Sequence, residues 1–235
     1  MKPHCMKPHH SWIVLVWTIE LLTGGLLSTM PGLAAPDAAE LRAQGLAYRD
    51  QGQFDQAIEA LESAVQLAPD DLPGRVSLGW TFHLAQQDRA AATALTDTLQ
   101  RDPFYVPALN ALGIVYLFND DPVAAAATHS WAAFLDPSNE IPHYNLSLAW
   151  QRLDQPAWAI ASAQTAARLE PENPHPLVAL AIAQWSNGDK AAAQRSFQQA
   201  IAVDARYGEA EFLDFLNEAG FSSAQITLAK QVLAS

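Results

Sequence analysis

The chain has 235 residues, of which 50% are hydrophobic and 16% charged, with Lys+Arg 13 against Asp+Glu 25 and a formal net charge of −12. So acidic a chain lacks the clustered Lys and Arg that phosphate contacts need, which excludes a nucleic-acid binder. Its one cysteine, Cys5, excludes a disulfide framework or a cysteine-based zinc cluster.

The first 36 residues differ from the rest. Lys2 and Lys7 precede an apolar block from Trp12 to Ile19, which Glu20 interrupts and Leu21, Leu22, Leu26 and Leu27 resume, before a small-residue run containing Gly32, Ala34 and Ala35. A positive start, an apolar middle and a small-residue exit form the layout of a secretory signal, with cleavage after Ala34. The alternative is an uncleaved anchor, since Trp12 to Ala35 is long enough to span roughly 30 Å of hydrocarbon. Glu20 at the centre would cost such an anchor about 2–3 kcal/mol. Both readings send the remaining chain across a membrane, into a bacterial periplasm or an equivalent lumen, and membrane contact is expected only through residues 12–30 if they are retained. Met1 to Cys5 is nearly repeated by Met6 to His10, so either methionine can serve as the start. His4, Cys5, His9 and His10 have the residue types of a metal site but fall in the segment to be removed, and no metal or other cofactor is expected.

From Ala38, apolar residues recur in steps of three and four through Leu41, Leu46 and Tyr48. A turn at Gln51, Gly52 and Gln53 follows, then a second amphipathic stretch from Phe54 to Val65. Pro69 closes the unit, because proline cannot continue a helix interior. This helix, turn, helix, proline unit then repeats. Pro69, Pro103, Pro137 and Pro171 stand 34 residues apart, as do Gly45, Gly79 and Gly113, continued by Ser147 and Ala181, and as do Ala57, Ala91, Ala125, Ala159 and Ala193. Pro73, Pro107, Pro142 and Pro174 fall in the first turn of the following helix, where proline is tolerated.

This pattern resembles the tetratricopeptide repeat, whose unit is about 34 residues long. The family has a small residue and then an aromatic in the first helix, then alanine, a bulky and a small residue in the second, and a closing proline. Residues 38–71 supply Gly45, Tyr48, Ala57, Leu61, Ala64 and Pro69 in that order. The same series runs through 72–105, 106–139, 140–173 and 174–207, with His129, Gln184 and Ala205 as departures, along with Arg75 and His143 at a place the family fills with a bulky apolar residue. The resemblance implies an all-α fold, a right-handed α-solenoid of five full repeats. Glu209 to Leu216 and Ser223 to Leu233 read as two further helices, out of register, so 208–235 is expected to be a degenerate sixth unit that caps the rod.

The resemblance also implies a concave face lined by set places on each first helix. Carried over, these are Arg42, Leu46 and Arg49, then Val76, Trp80 and His83, then Asn110, Ile114, Leu117 and Phe118. The fourth and fifth repeats give Tyr144, Leu148, Gln151 and Arg152, then His175, Val178, Ile182 and Trp185. An apolar, aromatic strip of this kind is an interaction surface for a protein or peptide segment, or it is covered by the capping helices, a retained N-terminal helix or another copy of the chain. Trp80 and Trp185, the largest of these side chains, are expected to dominate partner binding. One subfamily clamps the carboxylate end of chaperone tails with Lys, Asn and Arg, but here those places hold Arg42, Leu46, Ser77, Pro107 and Ala111, and only Arg42 fits.

No catalytic motif is found: neither glycine-rich phosphate loop, nor Gly-x-Ser-x-Gly, nor His-Glu-x-x-His is present. His83, His129, His143 and His175 are scattered one per repeat, and His129 is expected to be half-buried with one hydrogen bond. Asp70 and Asp71, like Asp120 and Asp121, stand at turns, where they are expected to cap the next helix. The expected function is an exported, non-catalytic scaffold, or alternatively a membrane-anchored assembly factor for an envelope complex.

Overall fold

The computed structural model describes residues 36–235, and the proposed export segment, with its His and Cys cluster, lies outside the described residues. Ten α-helices follow one another in pairs: α1 (Ala38–Asp50), α2 (Phe54–Leu67), α3 (Leu72–Leu84), α4 (Asp88–Arg101), α5 (Val106–Phe118), α6 (Pro122–Leu135), α7 (Glu140–Arg152), α8 (Pro156–Leu169), α9 (Pro174–Ser186) and α10 (Lys190–Val203). Each helix packs on the next, and the odd-numbered helices also touch in series, α1 with α3 through to α7 with α9. That second set of contacts puts the odd helices along the inner face of an α-solenoid.

Helix starts follow from local chemistry. Asp37 caps α1 in a reciprocal capping box with Glu40, and Asn139, Asn173 and Asp189 cap α7, α9 and α10 through their side chains. Proline occupies the first turn of α3, α5, α6, α8 and α9, where the missing N–H has no intrahelical partner to lose. The aspartates at the turns divide. Asp121 caps α6 by accepting from the Ala124 amide at 3.0 Å. Asp71 makes no cap and instead accepts from Arg42 at 2.5 Å, while Asp70 accepts from Arg101 at 2.7 Å. A guanidinium within reach outcompetes the amide for these two carboxylates.

The turn between the helices of each pair needs one residue with positive φ. Gly52 and Gly188 supply it at 73° and 87°, and Gln86, Asp120 and Asp154 adopt it at 60°, 56° and 55° in the three middle repeats. Close approach of the paired helices depends on a second position. A Cβ placed on Gly79 would lie 2.7 Å from Leu95 Cγ, so the glycine leaves the space that the buried leucine fills. Truncating a buried leucine of this kind costs about 2–5 kcal/mol.

Beyond α10 the chain does not form the helix expected over Glu209 to Leu216. Two short 3₁₀ turns, Ala205–Gly208 and Phe212–Asn217, are followed by α11 (Ser223–Leu233). Side chains three apart eclipse in a 3₁₀ turn. Leu213 and Leu216 accordingly both enter the core, at 0% and 1% exposure, while Phe212 and Phe215 stack with ring centres 5.7 Å apart. α11 then packs against α9 and α10. No described helix is long and apolar enough to cross a membrane.

Candidate interaction site on the inner face

The C-terminal segment turns back across the inner face of the fourth and fifth repeats. Tyr144 donates its hydroxyl proton to the Ala219 carbonyl at 2.6 Å. Arg152 donates to the Leu117 carbonyl at 2.6 Å, to the Gln225 side-chain carbonyl at 3.1 Å and to the Gly220 carbonyl. Gln225 in turn donates to the Leu148 carbonyl at 3.1 Å and closes a capping box with Ser222 at the start of α11. Phe221, Leu213 and Leu216 join Tyr144, Leu148, Val178 and Ile182 in one buried cluster. Burial of this region pushes the Tyr144 hydroxyl well above its ordinary pKa, with the Glu140 and Tyr207 charges adding to the rise, and it lowers the Arg152 guanidinium against the opposing pull of Asp120.

Of the expected inner-face residues, Tyr144, Leu148, Val178 and Ile182 thus meet the chain's own C-terminal segment, and Arg152 is tied to it. Trp185 is half-buried and carries the Lys190 ammonium 4.9 Å above its ring. At the other end Arg42 is engaged by Asp71 across the space that Gly74 leaves, where a Cβ would meet Asp71 Oδ2 at 2.6 Å. Asn110 is buried with its Oδ1 unpartnered. Leu46, Val76, Trp80 and Ile114 are half-buried, and Phe118 is exposed.

Between these two ends lies a hollow of about 530 Å³, walled by Trp80, His83, Ile114, Phe118, Tyr144 and the 218–220 loop. Its aromatic wall is continuous: the His83 ring centre is 5.0 Å from that of Trp80 and 5.0 Å from that of Phe118. His83 is held in place by donating from Nδ1 to Asp88 Oδ1 at 2.6 Å. Leu84, Glu140, Ile141 and Glu218 also line the hollow and were not among the expected site residues. Leu84 and Ile141 stand 34 positions before Phe118 and His175, at places the repeat pattern marks, whereas Glu140 precedes those places and Glu218 belongs to the out-of-register tail. Glu140 is the least satisfied polar group of this wall: its Oε1 is enclosed without a donor. Burial, and next the Glu170 charge, push its carboxyl up to about 7. Phe118 also lines a second hollow of about 760 Å³, beside Arg152 and Ser222.

His129 departs from expectation. It is fully buried, and neither ring nitrogen has a hydrogen-bond partner. Gly113 opposite it has no Cβ, and the flat ring fills that space as Leu95 fills the space at Gly79. Burial drives its pKa down to about 3, against an opposing pull from the Gly113 backbone. Among the described residues no group of three His, Cys, Asp or Glu side chains is placed to hold a metal ion.

Residues 38–71 match the tetratricopeptide repeat family model. No curated protein matches the chain. Solved structures do: MamA from Desulfovibrio magneticus RS-1 superposes with a TM-score of 0.65 at 19% identity, over 72% of this chain and 95% of that one. A second MamA structure gives 0.63 at 20% identity, over 73% and 94%. TTC0263, a thermophilic tetratricopeptide protein of Thermus thermophilus, gives 0.60 at 20% identity, over 77% and 98%. At such identities the likeness is one of fold. With a first repeat that fits the family model and helix pairs that continue its packing through the fifth repeat, the described residues form an α-solenoid whose repeats resemble the tetratricopeptide unit.

Proposed function

We propose that this chain is an exported scaffold that holds an extended segment of a partner protein on the inner face of its first three repeats. The observation that carries the reading is the hollow at Trp80, His83, Ile114 and Phe118, an aromatic surface left uncovered while the inner face beyond it is filled by the chain's own tail. Solenoids of this class use their concave faces for binding, and tryptophan is a favoured interface anchor. Export is supported by the charge and apolar layout of residues 2–36.

Replacing Trp80 by Glu, with exposed Phe134→Ala on α6 as a control, tests the binding surface in a pull-down from a native extract. The captured set is expected to shrink for the first variant and persist for the second. An unchanged set from a folded Trp80→Glu protein overturns the assignment. The apolar run of residues 12–27 supports a second reading, in which the repeats are tethered to a membrane as an assembly factor. N-terminal sequencing of the natural protein decides between them: a start at Ala35 supports release, and a retained segment supports the tether.

A further inference from the structure

We propose that the hollow beside Trp80 receives a lysine or arginine side chain of the partner segment, its hydrocarbon stem lying along Trp80, Phe118 and Ile141 and its cationic head reaching Glu140 and Glu218. The proposal rests on the reading of the inner face as a partner-segment site and adds the chemistry of the residue that enters it.

Three observations lead to it. The lining holds two carboxylates and no Lys or Arg. The nearby cation, Arg152, is already committed to the Leu117 and Gly220 carbonyls and to Gln225, and it lines the neighbouring hollow instead. Glu140 is short of donors, with one oxygen enclosed and unpartnered, and its carboxyl is held up to about 7 by burial and by Glu170, a penalty that an arriving cation relieves.

The alternatives fare worse on the same wall. An acidic side chain or a chain-terminal carboxylate would meet two carboxylates at close quarters, on a chain of net charge −12. A purely apolar side chain would match Phe118 and Ile141 but would bury Glu140 further without supplying a donor. Lysine and arginine satisfy both halves of the hollow, because their methylene stems pack on apolar surface while the head stays with polar groups. The face of Trp80 adds a cation–π attraction.

The test pans a phage-displayed random heptapeptide library on the full chain, followed by titration of the most enriched peptide as a synthetic probe. Enriched peptides are expected to carry Lys or Arg beside apolar residues. The probe's affinity should fall about tenfold or more against Glu140→Gln or Glu218→Gln, and by a similar factor when the probe's cation is replaced by norleucine. Glu218 is exposed, so its variant keeps the test valid should the half-buried Glu140 substitution unfold the protein. Peptides without a cation, or binding indifferent to both glutamines, overturn the inference. In that case, loss of binding in Trp80→Glu still upholds the inner-face site. Failure to enrich any peptide, or indifference to Trp80→Glu, overturns that site and the inference together.

Discussion

Tyr144 and Ala219, separated by 75 positions in the chain, are joined by a hydrogen bond of 2.6 Å from the phenol hydroxyl to the backbone carbonyl. The bond ties the loop before α11 to the middle of α7. Tyr144→Phe keeps the ring beside Phe221, whose centre is 6.2 Å away, and removes the donor alone. The variant is expected to lose about 1–2 kcal/mol, since a part-buried carbonyl is left without its partner, read as a lower urea midpoint with an unchanged slope.

Arg152 supports the same junction with three acceptors, and its side chain is 10% exposed. Arg152→Ala leaves the Gly220 carbonyl without a donor and removes a second, charged donor from the Leu117 carbonyl and the Gln225 side chain, which is expected to cost about 2–3 kcal/mol. Hydrogen exchange should show the loss concentrated in residues 204–235, with the first repeats still protected.

His129 makes the fold acid-sensitive. The unfolded chain takes up this proton below pH 6.5, whereas the folded chain resists until about 3. Stability from this residue is therefore complete above 6.5 and is lost as the pH falls toward 3. His129→Leu copies the pairing of Leu95 with Gly79 and removes two unpartnered nitrogens. The variant should gain about 1–3 kcal/mol near neutral pH, and its unfolding midpoint should fall less steeply with acid than that of the parent chain.

Glu140 acts in the opposite sense. Its carboxyl keeps its proton to about 7 in the folded chain and to 4.5 when unfolded, so the folded state holds more protons between these values. Its contribution is complete below 4.5 and is lost as the pH rises through 7. Glu140→Gln should remove this loss, and the ratio of variant to parent stability, followed by urea unfolding from pH 4.5 to 7, should rise with pH.

The repeat architecture was legible because its marks are periodic. Gly79 and Leu95 meet where the spacing of small and bulky residues required a close approach. The positive-φ turns show how period carries more than residue type: Gly52 announces a turn by itself, but Gln86 adopts the same conformation only because it stands 34 positions later. The tail escaped this reasoning, since nothing periodic predicts that Leu213 and Leu216 share a face in a 3₁₀ turn or that Gln225 reaches Leu148. The same gap hid half the candidate site. Trp80, Ile114 and Phe118 came from their repeat positions, whereas Glu218 enters through a tertiary fold-back and Glu140 through burial at a helix start.

The tail that fills the inner face of the fourth and fifth repeats also fixes a length. Packed helices lie about 8–10 Å apart, so the uncovered course across α1, α3 and α5 measures roughly 20–30 Å. An extended strand advances about 3.3 Å per residue. If that face holds a partner segment, as proposed, the stretch would be about six to nine residues long, with the fold-back at Ala219 and Gly220 as the stop against which one end of it is measured.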